Sequence, residues 1–143
     1  MKTKKRMKLQ WAIDCDCESS DGDWEAEKAL DTPWTKTFIY EAHIKGLTMR
    51  HPQINEAMRG TFAGLAEPAV IEHIRKLGVT AIELLPIHGF IQDRRLLELG
   101  LANYWGYNSI SFFAPYRPYL KNGKISEVKR AIRNFHAAGI EVI

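Results

Sequence analysis

The sequence predicts an α/β fold with a parallel sheet, and three observations carry that expectation. Residues 79–85 and 140–143 are apolar runs, and each follows a helix-like stretch closed by a glycine, Gly78 or Gly139. The segments Arg75-Lys76-Leu77-Gly78-Val79-Thr80-Ala81-Ile82 and His136-Ala137-Ala138-Gly139-Ile140-Glu141-Val142-Ile143 are thus one device used twice: helix, left-handed stop, buried strand. A third run, residues 37–44, is rich in β-branched and aromatic side chains and reads as an earlier strand. Strand–helix–strand–helix–strand argues for parallel pairing with right-handed crossovers.

Taken in order, residues 1–35 show no convincing periodicity. Trp11 and Ile13 could pack, Ser19-Ser20-Asp21-Gly22-Asp23 is loop chemistry, and Thr32-Pro33 halts any helix begun over residues 24–30. Strand one is expected over residues 37–44. A long polar connection follows, from Lys45 to about Leu65, with Gly46, Pro52, Gly60 and Gly64 along it. It is too long for a hairpin. Glu67-Pro68 opens a helix, with proline in the first turn where its missing N–H costs nothing. Val70, Ile71, Ile74 and Leu77 make its apolar stripe, and Gly78 ends it. Residues 79–85, closed by Pro86, form strand two. A long loop leads to Ser126, read as the cap of a second helix striped by Val128, Ala131, Ile132 and Phe135. Residues 140–143 open strand three. About three strands and two helices leave an open apolar edge, so the chain is expected to be the opening portion of a larger barrel or sheet.

At 143 residues the chain has single-domain length and could bury roughly two-thirds of its unfolded surface. Hydrophobic residues at 45% and charged residues at 26% are ordinary for a globular protein. The net charge of +3 is small but uneven. Lys2, Lys4, Lys5, Arg6 and Lys8 form a basic head, neutralised by Asp14, Asp16, Glu18, Asp21, Asp23, Glu25 and Glu27, which argues against a nucleic-acid tail. No transmembrane run or signal peptide is present, so a cytoplasmic chain without membrane partners is expected. Cys15 and Cys17 are too close for an ordinary disulfide and lack companions for a metal site, so free thiols are expected. Neither a metal nor a cofactor is implied.

The candidate site is Asn103-Tyr104-Trp105-Gly106-Tyr107-Asn108, three aromatic rings and two asparagines around one glycine. Long loops after strands one and two fall at the carboxyl ends of the strands, the face that carries sites in parallel α/β folds. A hexose lays its C–H face on an aromatic ring while amides and hydroxyls take its oxygens, so this stretch could be the floor of a sugar site. The alternative is a packed loop whose rings serve only as core.

Four ordered blocks then support a resemblance. Ile39-Tyr40-Glu41-Ala42-His43-Ile44-Lys45-Gly46-Leu47-Thr48, Arg59-Gly60-Thr61-Phe62-Ala63-Gly64-Leu65-Ala66, Gly78-Val79-Thr80-Ala81-Ile82-Glu83-Leu84-Leu85-Pro86-Ile87-His88, and residues 103–108 followed by Phe112-Phe113-Ala114-Pro115 resemble glycogen debranching enzymes of the isoamylase type, in the α-amylase superfamily. The resemblance implies the first part of a (β/α)8 TIM barrel over residues 37–143, after a charged, poorly ordered leader at 1–36. It implies hydrolysis of α-1,6 branch linkages in glycogen or limit dextrin, with retention, by two carboxylates roughly 5–5.5 Å apart. Those carboxylates belong to later strands in the family, so no catalytic residue is expected in this chain, which alone should be inactive. Residues 1 to about 22 do not match the family. Tyr107 matches the tyrosine that stacks on the sugar at the cleavage subsite, and Trp105 a neighbouring substrate-facing position. The implied partners are an α-glucan and the remainder of the barrel. The alternatives are a non-catalytic remnant or glucan-binding fragment, and a small dimeric α/β protein that closes its open sheet edge on a second copy.

Other residues invite chemistry. Glu41, Glu83 and Glu141 stand one per strand, but Glu83 and Glu141 come too early for barrel catalysis and read as structural or strand-end solvated. His43 and His88 lie at or just past the ends of strands one and two. Either could hydrogen-bond sugar hydroxyls or steady the loops. Asp93-Arg94-Arg95 reads as a solvated loop cluster.

Overall fold

The computed structural model describes residues 29–143. The basic head, the acidic stretch, Trp11, Ile13 and both cysteines lie outside the described residues, as does most of the segment 24–30. The strands are β1 (Ile39–Ala42), β2 (Ala81–Leu84), β3 (His88–Phe90), β4 (Ser109–Pro115) and β5 (Glu141–Val142). The helices are α1 (Ile44–Thr48), α2 (Phe62–Leu65), α3 (Pro68–Lys76), α4 (Arg94–Glu98) and α5 (Ser126–Ala137). Short 3-10 turns add Trp34–Lys36, Glu56–Met58 and Arg117–Tyr119.

The fold is mixed α/β with a three-stranded parallel sheet ordered β1-β2-β5. The three strands are those expected from the apolar runs, each trimmed at its ends. Register pairs Tyr40 with Ile82, and Ile82 with Val142, so these three share one face. On that face Ile82 packs with Val70, Ile74, Ala131, Phe135 and Ile140 in the core. The helices α3 and α5 therefore cover this side. Most of each stripe is covered: Val70, Ile71 and Ile74 are buried from α3, and Ala131 and Phe135 from α5 with Val128 and Ile132 half-buried, but Leu77, expected in the α3 stripe, is the C-cap and stands exposed. Pro68 stands in the first turn of α3 after Glu67, where no intrahelical N–H is needed. The opposite face of the sheet carries Ile39, Glu41 and Glu83, all exposed.

Three expectations are corrected. The connection from Lys45 to Leu65 is not simply loop; it holds α1, a 3-10 turn and α2. Thr48 ties it together, its buried hydroxyl donating to the Ile44 carbonyl at 3.2 Å and accepting from Gly60 N–H at 2.7 Å. Ser126 does not cap α5. It is the first helical residue, and Ile125 occupies the cap without a side-chain hydrogen bond. Glu127 satisfies the backbone before the helix instead. Its buried carboxylate accepts from the N–H groups of Lys121 (2.8 Å), Asn122 (2.7 Å) and Lys124 (3.4 Å). Finally, the loop between strand two and the second helix contains an antiparallel hairpin, β3 with β4, and the short helix α4. Asp93, expected in a loop cluster, caps α4 by accepting from Arg95 N–H at 2.8 Å, while Arg94 pairs with Glu98.

Candidate functional site

The hairpin is what brings the aromatic stretch to the sheet. Its flanks join where Ile91 N–H donates to the Asn108 carbonyl at 3.0 Å and Tyr116 N–H to that of Ile87 at 2.7 Å. Within the stretch, Gly106 has φ +78°, and a Cβ there would lie 2.8 Å from Phe90 Cε1. Glycine is required for conformation and for space. Asn103 Oδ1 accepts from Gly106 N–H at 3.1 Å, which closes the turn. Asn103 N–H donates to Gln92 Oε1 at 2.7 Å, and Gln92 Nε2 donates to the Tyr116 hydroxyl at 2.8 Å. Tyr116 stacks on Phe90 with ring centroids 3.8 Å apart. One side of the loop is thereby fastened to β3.

The other side rests on the end of β1. His43 follows that strand directly, is 7% exposed, and caps α1. Its Nδ1 accepts from Gly46 N–H at 3.1 Å, and its Nε2 lies 2.7 Å from the Tyr104 carbonyl oxygen. The Tyr104 ring stacks on the imidazole at 4.2 Å with only 7° between planes. Trp105 stands edge-on to both His43 and Tyr104, at 6.1 and 5.0 Å. Tyr119 is buried against the same histidine, its hydroxyl 3.3 Å from Nε2. Burial, then the neighbouring Tyr116 and Tyr104, push the Tyr119 phenol up to about 12.

Past this packed layer the surface opens. Tyr107 is 68% and Trp105 57% exposed, and Phe112 and Phe113 of the neighbouring β4 are exposed with them. Tyr107 borders an open groove of about 450 Å³ whose walls include His88, Pro86, Phe112, Glu41 and Glu83. His88, half-buried, begins β3 and meets Phe112 edge-on at 5.7 Å. Glu41 and Glu83 are register partners on β1 and β2, so two carboxylates sit side by side on the groove floor. Among the described residues neither makes an ion pair. Glu141 lies apart from them, its Oε1 accepting from Thr32 N–H at 3.2 Å. Among the described residues no group of three or more His, Cys, Asp or Glu is placed to hold a metal ion. No described helix is long and apolar enough to cross a membrane.

Of the four residues singled out from the sequence, Tyr107 and His88 share the groove. Trp105 stands exposed near Tyr107 in sequence but outside the groove lining, and His43 lies beneath, its nitrogens taken up within the protein.

Over 125 residues, 85% of its length, the chain is 50% identical to a glycogen operon protein GlgX homolog of Mycobacterium bovis. It is 47% identical over 123 residues to a glycogen debranching enzyme of Klebsiella pneumoniae. This chain is a relative of the glycogen debranching enzymes. The match spans 17% of the Mycobacterium protein and 19% of the Klebsiella one, so the chain covers under a fifth of these relatives. No protein-family model matches it. Among solved structures, it is similar to a pullulanase from Anoxybacillus sp. LM18-11 complexed with maltotetraose. There the TM-score is 0.62 at 33% identity, over 76% of this chain and 18% of that one. A type I pullulanase from Bacillus subtilis complexed with maltose gives a TM-score of 0.64 at 28% identity, over 75% and 17% of the two chains.

Sequence reasoning missed Asn103, Gln92 and Tyr116 as the residues that hold the aromatic loop in place. The signal for Asn103 was available: an asparagine three residues before a glycine can close an Asx-type turn. Gln92 and Tyr116 carried none, because their partners are distant in sequence.

Proposed function

We propose that this chain forms the first part of a (β/α)8 glycoside hydrolase barrel that cleaves α-1,6 branch linkages in glycogen or its limit dextrin, and that it supplies the sugar-stacking wall. On this reading residues 37–143 are barrel, residues 1–36 a leader, and the protein works in the cytoplasm without a cofactor. The observation that carries it is Tyr107: a large ring, mostly exposed, bordering a groove that starts on the open face over Glu41 and Glu83 and runs past Leu85 and Pro86 at the carboxyl end of β2. Parallel α/β folds place their sites at the carboxyl ends of their strands. A glucose unit would lay its C–H face on Tyr107, with Trp105 as a second platform and His88 donating to or accepting from a hydroxyl. The relatives' names and the maltooligosaccharides in the pullulanase structures support an α-glucan as the ligand.

The bond-breaking carboxylates are assigned to other polypeptide of the full barrel. Glu41 and Glu83 stand within β1 and β2, not past their ends, where barrel enzymes keep their catalytic groups. Their place on the groove floor makes them acceptors for sugar hydroxyls, not a nucleophile and acid pair.

Calorimetric titration with maltotetraose tests this. The chain should bind it weakly, and Tyr107→Ala should weaken binding about tenfold, the worth of one ring stack, with an unchanged thermal midpoint. Lost stability with unaltered binding would return Tyr107 to the core. The chain alone should release no reducing ends from limit dextrin, and release of them would overturn the assignment of the carboxylates elsewhere. Binding without contribution to any barrel would favour the glucan-binding fragment.

A further inference from the structure

The layer under the sugar floor is more specific than packing requires. Gly46 N–H can only donate, so His43 Nδ1, which receives it at 3.1 Å, carries no proton. The imidazole proton must then sit on Nε2, where it faces the Tyr104 carbonyl at 2.7 Å. The Tyr119 hydroxyl, 3.3 Å away, stands at the edge of the same N–H. The ring is thus a neutral Nε2–H tautomer fixed by the backbone on both sides. One nitrogen holds the first turn after β1, and the other holds the aromatic loop 61 residues later in the chain. The faces agree with the edges: Tyr104 lies flat on the imidazole, while Trp105 and Tyr119 close on it at near right angles. Gly46 completes the fit, since a Cβ there would stand 2.5 Å from the Tyr104 hydroxyl oxygen.

We infer that His43 is a positioning residue: as the neutral Nε2–H tautomer it couples the end of β1 to the Tyr104 backbone and so sets where the Trp105 and Tyr107 rings stand. It touches no sugar. The inference rests on the sugar-stacking reading for its functional consequence, but its structural content is independent of that reading. A histidine serving only as a helix cap would need Nδ1 alone.

The two halves can be separated by substitution. In His43→Asn the side-chain oxygen stands near the Nδ1 position and can still accept from Gly46 N–H, but nothing reaches Tyr104. In His43→Gln the longer amide can place an N–H near the Nε2 position. Nitrogen-15 NMR of the unsubstituted chain should show the Nε2–H tautomer at His43. His43→Asn, which also empties the space under the Tyr104 ring, should lower the thermal midpoint, shift the Tyr104 and Trp105 resonances and weaken maltotetraose binding by about tenfold or more. His43→Gln should recover part of each. An Nδ1–H or doubly protonated ring at neutral pH would overturn the inference, and this measurement needs no variant to fold. Unmoved loop resonances in His43→Asn would overturn it too. Absence of maltotetraose binding by the unsubstituted chain would instead count against the sugar reading, while the resonances would still decide the role of His43.

Discussion

Tyr119 shows how a single buried hydroxyl makes stability depend on pH. Its phenol ordinarily titrates at 10.0, and in the fold it is pushed up to about 12, first by burial and then by Tyr116 and Tyr104. Between these values the folded chain holds a proton that the unfolded chain has lost. Its contribution is therefore complete below about pH 10 and is lost as pH rises toward about 12. Tyr119→Phe should flatten this slope: the difference in urea midpoint between variant and parent should move in the variant's favour between about pH 9 and about pH 11. An unchanged difference would show that the hydroxyl is freely hydrated. The same scale shows what single residues disclosed. Tyr107 was singled out through the resemblance of its stretch to debranching enzymes, and the structure leaves its ring exposed beside the groove. That His43 would be buried was not legible, because its partners Tyr104 and Tyr119 lie 61 and 76 residues away.

At the scale of elements, the parallel strands and the helices α3 and α5 could be read directly. Proline at one end, glycine at the other and an apolar stripe between are local signals, and local signals suffice where a helix simply covers a sheet. The hairpin escaped because β3 is only three residues long and its pairing with β4 is irregular on both sides of Gly89. A shifted register erases the alternation by which strands are recognised. The start of α5 escaped for a related reason. Serine before an apolar stripe suggests a cap, yet Glu127 gathers three backbone N–H groups of residues 121–124. Glu127→Ala would strip these part-buried donors of their acceptor and should cost about 1–3 kcal/mol in chemical denaturation. Glu127→Gln, which keeps one oxygen, should cost less. A loss for Glu127→Ala below about 1 kcal/mol would mean that water replaces the carboxylate.

For the whole molecule, the decisive fact is that, among the described residues, helices cover one face of the sheet only. The other face, with the hairpin beside it, presents Ile39, Ile110 and Phe112, and Phe113 is 99% exposed. Patches of that kind seek cover. The purified chain should therefore sediment as a concentration-dependent mixture above monomer at micromolar concentration. Phe113→Ser with Phe112→Ser should move it toward monomer while leaving the fold's circular dichroism unchanged. A strictly monomeric parent would show that the exposed rings are tolerated in water. The uncovered face also limited what could be read from sequence: periodicity reveals that a surface is apolar, but not which polypeptide lies against it.

The order β1-β2-β5 follows the order of the chain, with pairings such as Ile39 to Ala81 and Ala81 to Glu141. During synthesis, then, β2 and β5 each find their neighbour in the parallel sheet already delivered, and neither has to wedge itself between two earlier strands. Growth from a single margin allows the sheet to be laid down as the ribosome advances, each addition using the last as its template.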